Sequence, residues 1–212
     1  NDAGFRGQVE LVEGDIFKKG SYDEPFKGCC AVIHTGAAMG HNAETPQQIY
    51  DGCVTEVQHI LDSVKKSGTA KRFIYTSSFS AAWHHRPGGY VFTEKDWCDD
   101  NPEKYKGAWD VKKVSERSDI AYSMGKADAE RLIYKIAEED GGFEAMAILP
   151  VHVTGPLICA NHDQQGSWQN SIKELLQGKP FNKMPGGRML WNNTDVRDCA
   201  RAHRLAAEST KA

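Results

Sequence analysis

The sequence predicts an α/β fold built on a doubly wound parallel sheet. Short apolar runs alternate with longer stretches that have helical periodicity, and Gly or polar residues bound each run. Alternation of this kind is typical of strands and helices that follow one another in βαβ units. Such sheets bind ligands beyond the carboxyl ends of their strands, so the site is expected at that edge.

The predicted strands are short and apolar enough to be buried. In chain order they cover residues 9–12, 31–34, 72–78 and 145–150. Two helices are predicted, over 46–66 and 120–139. Pro46 suits a first helical turn, and the Gly68 that follows the first helix suits its end. A polar segment with several aromatic residues, 84–118, leads from the third strand to the second helix.

Three residues form the candidate catalytic group. Ser78 ends the third predicted strand, and Tyr122 and Lys126 stand four positions apart on the second helix, on one face. An ammonium beside a phenol lowers the phenol's pKa, so Tyr122 could exchange a proton with a carbonyl oxygen near neutral pH. Each residue also has a structural alternative: Ser78 could close a turn, Tyr122 could be a half-buried helix tyrosine, and Lys126 could be solvated. If Ser78 is only a turn residue, Ser77 and Ser80 are the other candidates for the catalytic serine.

Further polar or turn residues follow the predicted strands. Asp15, the turn from His34 to Ala37, and Pro150 all lie at or just after strand ends, as Ser78 does, so we expect them to line one crevice. Asp15 could instead be a turn residue, and His34 is interpreted as a satisfied core histidine. The pair His84-His85 lacks an evident third ligand, so no metal site is predicted.

Composition narrows the function classes. The net charge is −3 with mixed signs along the chain, which argues against nucleic-acid binding. No apolar run approaches the roughly 18 residues that a membrane span needs. The six cysteines include no C-x-x-C pair, which predicts free thiols in the cytoplasm or another reducing compartment. The sequence leaves organelle targeting open.

Five segments, in order, resemble the extended short-chain dehydrogenases/reductases, also called the NAD-dependent epimerase/dehydratase superfamily. The likeness is greatest to the dihydroflavonol reductase and cinnamoyl-CoA reductase group. The segments cover nearly the whole chain: Val9–Ile16, Gly28–Ala38, Lys71–Ser78, Leu149–Pro156 and Thr194–His203.

The resemblance implies a Rossmann-like dinucleotide-binding domain over 1–150 and the start of a substrate-binding region over 151–212. It implies NADP or NAD as cofactor, with NADP preferred, and hydride transfer to or from a small-molecule carbonyl or alcohol. Tyr122 would move the proton, Lys126 would hold the nicotinamide ribose, and Ser78 would bind the reacting oxygen. A homodimer or larger assembly is also implied. The expected cofactor-binding residues are Asp15, Ile16, His34, Thr35, Gly36, Ala37, Thr76, Tyr122, Lys126, Pro150, His152 and Val153.

The chain departs from the family pattern at four positions. Cys30 stands where the family often has Asp, Cys53 and Glu56 where many members have Asn and Gly, and Trp83 where dihydroflavonol reductases carry a substrate-binding Asn. The aromatic residues near that position line a substrate pocket or form a small core of their own segment; they are Trp83, Tyr90, Trp97 and Trp109.

The sequence contains neither G-x-x-G-x-x-G nor G-x-G-x-x-G, the patterns that receive a pyrophosphate. From the resemblance we expect the first two strands of the sheet and most of the C-terminal substrate domain to lie outside this chain. Two other functions stay open at this point. One is a non-catalytic scaffold subunit of a larger assembly, and the other is a nucleotide-sugar epimerase or dehydratase.

Overall fold

The computed structural model describes residues 8–36, 44–100, 111–140, 142–157, 167–179 and 192–209. Its strands and helices alternate along the chain, and short 3₁₀ turns follow the second strand at Phe79–Ala81 and precede the second helix at Val111–Lys113. In chain order the elements are β1 Ala31–His34, α1 Pro46–Ser67, β2 Arg72–Thr76, α2 Ser118–Asp140, β3 Glu144–Ile148, β4 His152–Thr154, α3 Ser167–Leu176, β5 Asn193–Asp195 and α4 Val196–Glu208.

The described strands form two parallel sheets. The larger has the order β1-β2-β3 and the smaller pairs β4 with β5. Successive side chains of a strand point to opposite faces. On β2, Phe73 and Tyr75 belong to the core that α1 and α2 cover, whereas Arg72 and Thr76 contact α4. Helices therefore lie on both faces of the larger sheet, which confirms the predicted doubly wound fold class.

The main apolar core lies between α1, α2 and the larger sheet. Apolar residues of α1 recur at helical spacing, including Val57, Ile60, Leu61 and Val64, and pack against Phe73. Burial of one such side chain contributes about 1.5–3 kcal/mol to stability. The core therefore fixes how both helices lie against the sheet, and with them the side chains that they carry above it.

Helix α1 begins and ends where the sequence predicts. Thr45 and Gln48 form a capping box, in which the Thr45 hydroxyl accepts from the Gln48 amide and the Gln48 side chain accepts from the Thr45 amide. Pro46 occupies the first turn. Gly68 closes the helix with a φ of 65°, a left-handed conformation that glycine adopts without strain.

Helix α4 is fixed to the opposite face of the sheet by two polar contacts. Arg72 donates to the carbonyl oxygens of Ala206, Ala207 and Ser209 at the end of the helix, and it also pairs with a Glu144 oxygen at 2.6 Å. His203 Nδ1 lies 2.8 Å from the Cys199 carbonyl oxygen, which makes that nitrogen the donor. Its Nε2 then accepts from Thr76 Oγ1 at 2.7 Å.

Three predicted strands exist and one is wrong. The strand over 31–34 is confirmed, and those over 72–78 and 145–150 end two residues early, at Thr76 and Ile148. Residues 9–12 form no strand, and Leu11 is 93% exposed. A strand requires a hydrogen-bonded neighbour, and residues 9–12 pair with none of the described strands. Over the described residues, no helix combines the length and the apolar character needed to cross a membrane.

Candidate active site

Ser78 is fixed where the chain leaves β2. The backbone stays against β3 beyond the last β2 residue, because the Ser77 amide donates to the Ile148 carbonyl at 2.9 Å and the Phe79 amide to the Pro150 carbonyl at 3.0 Å. Ser78 itself is extended and caps the 3₁₀ turn Phe79–Ala81. Its Oγ accepts from the Ser80 amide at 3.2 Å and from Ser80 Oγ at 2.9 Å, so its own proton can be donated elsewhere.

Tyr122 lies in the first turns of α2, half-buried, and its phenol is close enough to the Ser78 side chain for that side chain to affect its pKa. Burial raises the pKa of Tyr122, and the nearby Glu56 adds to that increase, while the Ser78 side chain opposes it. At neutral pH the phenol therefore keeps its proton. The structure thus joins the serine and the tyrosine that the sequence singled out.

Lys126 lies one turn further along α2 and is 1% exposed. Its ammonium donates to Tyr75 Oη at 3.0 Å and to the Thr76 carbonyl oxygen at 3.2 Å, and it stands 4.6 Å from the centre of the Tyr75 ring. Burial lowers the pKa of Lys126, whereas Cys53, Glu56 and Glu130 raise it.

The expectation that Lys126 lowers the pKa of Tyr122 is not met by this geometry. The two side chains do share one face of α2, but the ammonium donates to acceptors on β2. Burial is the largest influence on the phenol, and the shift is upward. Sequence spacing fixed the relative position of the two residues along the helix, but not the acceptors available to the lysine.

A close approach of α1 and α2 creates the surroundings of Lys126. Gly125 allows it, since a Cβ at that position would meet Cys53 Cβ at 3.0 Å and Tyr50 Cα at 3.2 Å. Cys53 and Glu56 of α1 are thereby buried near Lys126. Burial raises the pKa of Cys53 to about 11, so this thiol is neutral at physiological pH.

His34 is buried at the end of β1, beside Tyr75 of β2 in the strand register. The two rings stack with centroids 5.8 Å apart. His34 Nε2 has no hydrogen-bond partner, and the nearest carboxylate oxygen, Glu56 Oε1, lies 3.9 Å away. His34 is thus buried, as predicted, but its Nε2 is not satisfied by a hydrogen bond, so that part of the prediction is wrong. The carboxylate that α1 places beside it is just beyond hydrogen-bond distance.

The predicted cofactor-binding residues between Asp15 and Ala37 come from β1 and from the segments before and after it. Asp15 is exposed and makes a local turn, in which its Oδ1 accepts from the Phe17 amide at 2.8 Å. Ile16 packs against the main core, and its Cδ1 would lie 3.9 Å from a Cβ added at Gly36. Thr35 is exposed, and Ala37 lies outside the described residues. Asp15 thus begins a turn and does not follow a strand, and its role toward a cofactor stays a prediction.

Of the remaining predicted cofactor-binding residues, Thr76 and Pro150 lie near Ser78, and His152 and Val153 lie in the smaller sheet. Pro150 is next to Ser78 through the backbone bond to Phe79. Thr76 uses its hydroxyl for His203 and its carbonyl for Lys126. His152 and Val153 lie in β4, where His152 Nδ1 stands 3.0 Å from the Asn192 carbonyl oxygen.

The segment after β2 has a polar core of its own. Asp96 accepts hydrogen bonds from Tyr90 Oη and from the Thr93 amide, and Arg131 of α2 stands 4.4 Å above the Trp97 ring. Tyr90 therefore serves this segment's own packing, whereas Trp97 packs against Arg131 of α2. Trp83 is partly exposed, and Trp109 lies outside the described residues. Within the described ranges, no cluster of three or more His, Cys, Asp or Glu side chains could hold a metal.

Two residues around Lys126 were not identified as site residues from the sequence. Tyr75 supplies an acceptor for the ammonium, and Glu56 supplies a buried charge nearby. Strand alternation could have found Tyr75, because it places this side chain on the same face as Phe73, beneath the helices. Glu56 gave a weaker signal, because this acid directly precedes the apolar Val57 and lies one helical turn before the apolar Ile60.

Comparisons with known proteins agree with this architecture. A family model described as the NAD dependent epimerase/dehydratase family matches residues 2–212. A cinnamoyl-CoA reductase of Medicago truncatula is 26% identical over 218 residues, 99% of this chain and 59% of the relative. A dihydroflavonol 4-reductase of Arabidopsis thaliana is 28% identical over 153 residues, 71% of this chain and 37% of the relative.

Among solved structures, the yeast methylglyoxal/isovaleraldehyde reductase complexed with NADPH superposes with a TM-score of 0.76 at 24% identity. The match covers 93% of this chain and 59% of that one. At this identity the likeness establishes the fold. The chain spans about three fifths or less of the length of these proteins.

Proposed function

Because this chain belongs to the NAD dependent epimerase/dehydratase family, as its motifs predicted, we propose that it forms the catalytic part of an NAD(P)H-dependent reductase. The proposed substrate is a small molecule with a reactive carbonyl, and the proposed catalytic residues are Ser78, Tyr122 and Lys126. The observation that carries the proposal is the placement of all three side chains at the carboxyl end of β2. Ser78 follows that strand, Lys126 donates to its last residue, and Tyr122 lies one helical turn before Lys126, where Ser78 influences its pKa.

The protonation state of Tyr122 favours reduction over oxidation. Burial raises its pKa, so the phenol carries a proton at neutral pH and can donate it to a carbonyl oxygen. Ser78 would bind the same oxygen with its hydroxyl proton, since that hydroxyl already accepts two bonds from Ser80. The two donors lie side by side, as a carbonyl oxygen that gains negative charge requires.

The described residues fit the nicotinamide end of a dinucleotide. The Lys126 ammonium has three protons, of which two go to Tyr75 and Thr76, so one can meet a ribose hydroxyl. When bound, the dinucleotide supplies the hydride, and the protein orients it and the substrate. NADP is preferred as cofactor, with support from the NADPH complex of the similar yeast reductase. The other residues proposed to hold it are Asp15, Ile16, His34, Thr35, Gly36, Ala37, Thr76, Pro150, His152 and Val153.

The test is Tyr122→Phe in the full-length protein. Oxidation of NADPH is followed with methylglyoxal, isovaleraldehyde and cinnamoyl-CoA as carbonyl substrates. We expect kcat to fall by about 10²–10⁴, because the general acid is lost, while the Kd for NADPH changes little.

Tyr134→Phe is the matched control, since Tyr134 lies on the same helix, is 39% exposed and is remote from Ser78 in sequence. It should keep the activity of the unmodified protein. Turnover by Tyr122→Phe within a few-fold of that activity would reject the catalytic role of Tyr122.

A further inference from the structure

Lys126 is a buried ammonium whose hydrogen-bond acceptors are both neutral. It is 1% exposed, and it donates to a phenol oxygen of Tyr75 and a backbone carbonyl of Thr76. A buried ammonium without a compensating anion is strongly unfavourable, and such groups usually lose their proton instead. If Lys126 stays charged in the folded protein, a negative charge close by must stabilise it.

Most ionisable groups around Lys126 cannot supply that charge. Burial raises the pKa values of Cys53, Tyr75 and Tyr122, so all three are neutral at physiological pH. The remaining candidates are Glu56 on α1 and Glu130 on α2. Burial raises the pKa of Glu130, and the charge of the neighbouring Arg131 also acts on this carboxylate. Glu56 is therefore the stronger candidate.

Glu56 in turn lacks any compensation except from this site. Its side chain is 0% exposed, and neither carboxylate oxygen has a hydrogen-bond partner. Within the part of the chain that the structure describes, the basic side chain at ion-pair distance from Glu56 is His34, whose unpartnered Nε2 lies 3.9 Å from Oε1. The Glu56 carboxylate and the Lys126 ammonium thus approach the same stacked pair of rings, His34 and Tyr75, where opposite charges would stabilise each other.

We propose that Glu56 is a positioning residue of the reductase: its buried carboxylate is the fixed negative charge that keeps Lys126 an ammonium below Tyr122. The inference rests on the proposed function for its catalytic meaning, whereas the pairing of charges rests on the burial of both groups and on their contacts with the stacked rings of His34 and Tyr75. Glu56 acts through Lys126 and touches no reacting atom. The titratable and charged groups that face this pair come from four elements: His34 of β1, Cys53 of α1, Tyr75 of β2, and Tyr122 and Glu130 of α2.

The test reads the charge of Lys126 directly. The full-length protein is labelled with ¹³C,¹⁵N-lysine, and the Nζ resonance of Lys126 is identified by its disappearance in Lys126→Arg. Its titration is then compared in the unmodified protein and in Glu56→Gln, which removes the charge and keeps the shape. We expect the pH at which Lys126 loses its proton to fall by about one pH unit or more, as for loss of a nearby opposite charge.

Two further variants sharpen the comparison. Glu130→Gln removes the other nearby acid, and it should shift the Lys126 titration less than Glu56→Gln does. Glu56→Met removes the charge with an apolar side chain of similar volume, which buried sites often tolerate. We expect Glu56→Met to lower the pH at which Lys126 loses its proton, as Glu56→Gln does. The Met variant therefore keeps the test possible if Glu56→Gln fails to fold.

Three results would overturn the proposal. One is an unchanged Lys126 titration in the Glu56 variants, which would assign the carboxylate to His34 alone. Another is a shift in Glu130→Gln as large as that in Glu56→Gln. The last is failure of both Glu56 variants to fold while Glu130→Gln folds, since a counter-charge role predicts that the apolar replacement is tolerated.

These results do not depend on turnover. An active Tyr122→Phe together with a shifted Lys126 would reject the proposed function and keep the charge pairing. An inactive Tyr122→Phe together with an unshifted Lys126 would do the reverse.

Discussion

The layer formed by α1, β2 and α2 has an apolar interior toward the amino end of β2 and buried ionisable side chains toward its carboxyl end. Toward the amino end of β2, Phe73 packs with Leu61 of α1 and Ile133 of α2 in an apolar core. Toward its carboxyl end, Tyr75 lies among buried ionisable groups, including Lys126 and Glu56. The same helices and strand supply both ends, so the difference comes from individual side chains and not from the architecture.

The contrast shows which half stabilises the protein and which half is organised for chemistry. Buried apolar groups contribute favourable transfer free energy with no polar atom to satisfy. Buried charges require partners, and at the carboxyl end several polar atoms have none, among them His34 Nε2 and both Glu56 oxygens. A perturbed group in such surroundings is a candidate functional group, whereas the apolar half provides the rigidity that holds it in place.

The largest effect on stability is expected from Phe73→Ala at the apolar end. Phe73 is fully buried, and its ring packs edge-on against Phe143 with centroids 6.2 Å apart. The substitution should lower the free energy of unfolding by about 3–5 kcal/mol, because it removes apolar burial and leaves a cavity. Urea unfolding followed by circular dichroism measures this, with the exposed Val91→Ala as control. A loss of unfolding free energy no larger than that of Val91→Ala would contradict the claim that the apolar end stabilises the protein.

A smaller, pH-dependent effect is expected from Glu130→Gln at the polar end. Burial raises the pKa of folded Glu130 above the ordinary value of 4.5. The folded protein therefore holds this proton more tightly than the unfolded chain, and stability falls as pH rises from 4.5 through the raised pKa. Glutamine does not titrate, so the variant should gain stability relative to the unmodified protein over that window.

Thermal unfolding of both proteins between acid and neutral pH measures the difference. Glu139→Gln, on an exposed position of the same helix, is the control and should follow the unmodified protein at every pH. If the curves of Glu130→Gln and the unmodified protein stay parallel, the carboxyl end does not carry the burial cost that the comparison assigns to it.

The smallest effect is expected from Thr45→Ala, at the start of α1 near the polar end. The substitution removes the hydroxyl half of the capping box with Gln48 and should cost about 1 kcal/mol. Thr69→Ala, just beyond the other end of α1, offers the same chemical change without a cap. Equal unfolding free energies for the two variants would mean that the capping box contributes nothing measurable.

The sequence alone determined the features that rest on local patterns. Helical periodicity and terminal Pro and Gly residues defined α1, and the apolar run before Ser78 defined β2 apart from its last two residues. The four-residue spacing placed Tyr122 and Lys126 on one face of α2. Several motifs together also identified the family, which the family model confirms. These features are local, because they depend on the conformational preferences of single residues and on the spacing of apolar residues, and both can be read from a sequence.

Tertiary structure decided which groups meet. The run 9–12 is apolar, yet it forms no strand, because pairing depends on a neighbouring strand and not on composition. Lys126 donates to Tyr75 and Thr76, 51 and 50 residues away in sequence, and not to Tyr122 on its own helix. The pKa of Tyr122 rises for the same reason: burial and long-range charges act through space, and their balance exists only once α1, α2 and the sheet have packed together.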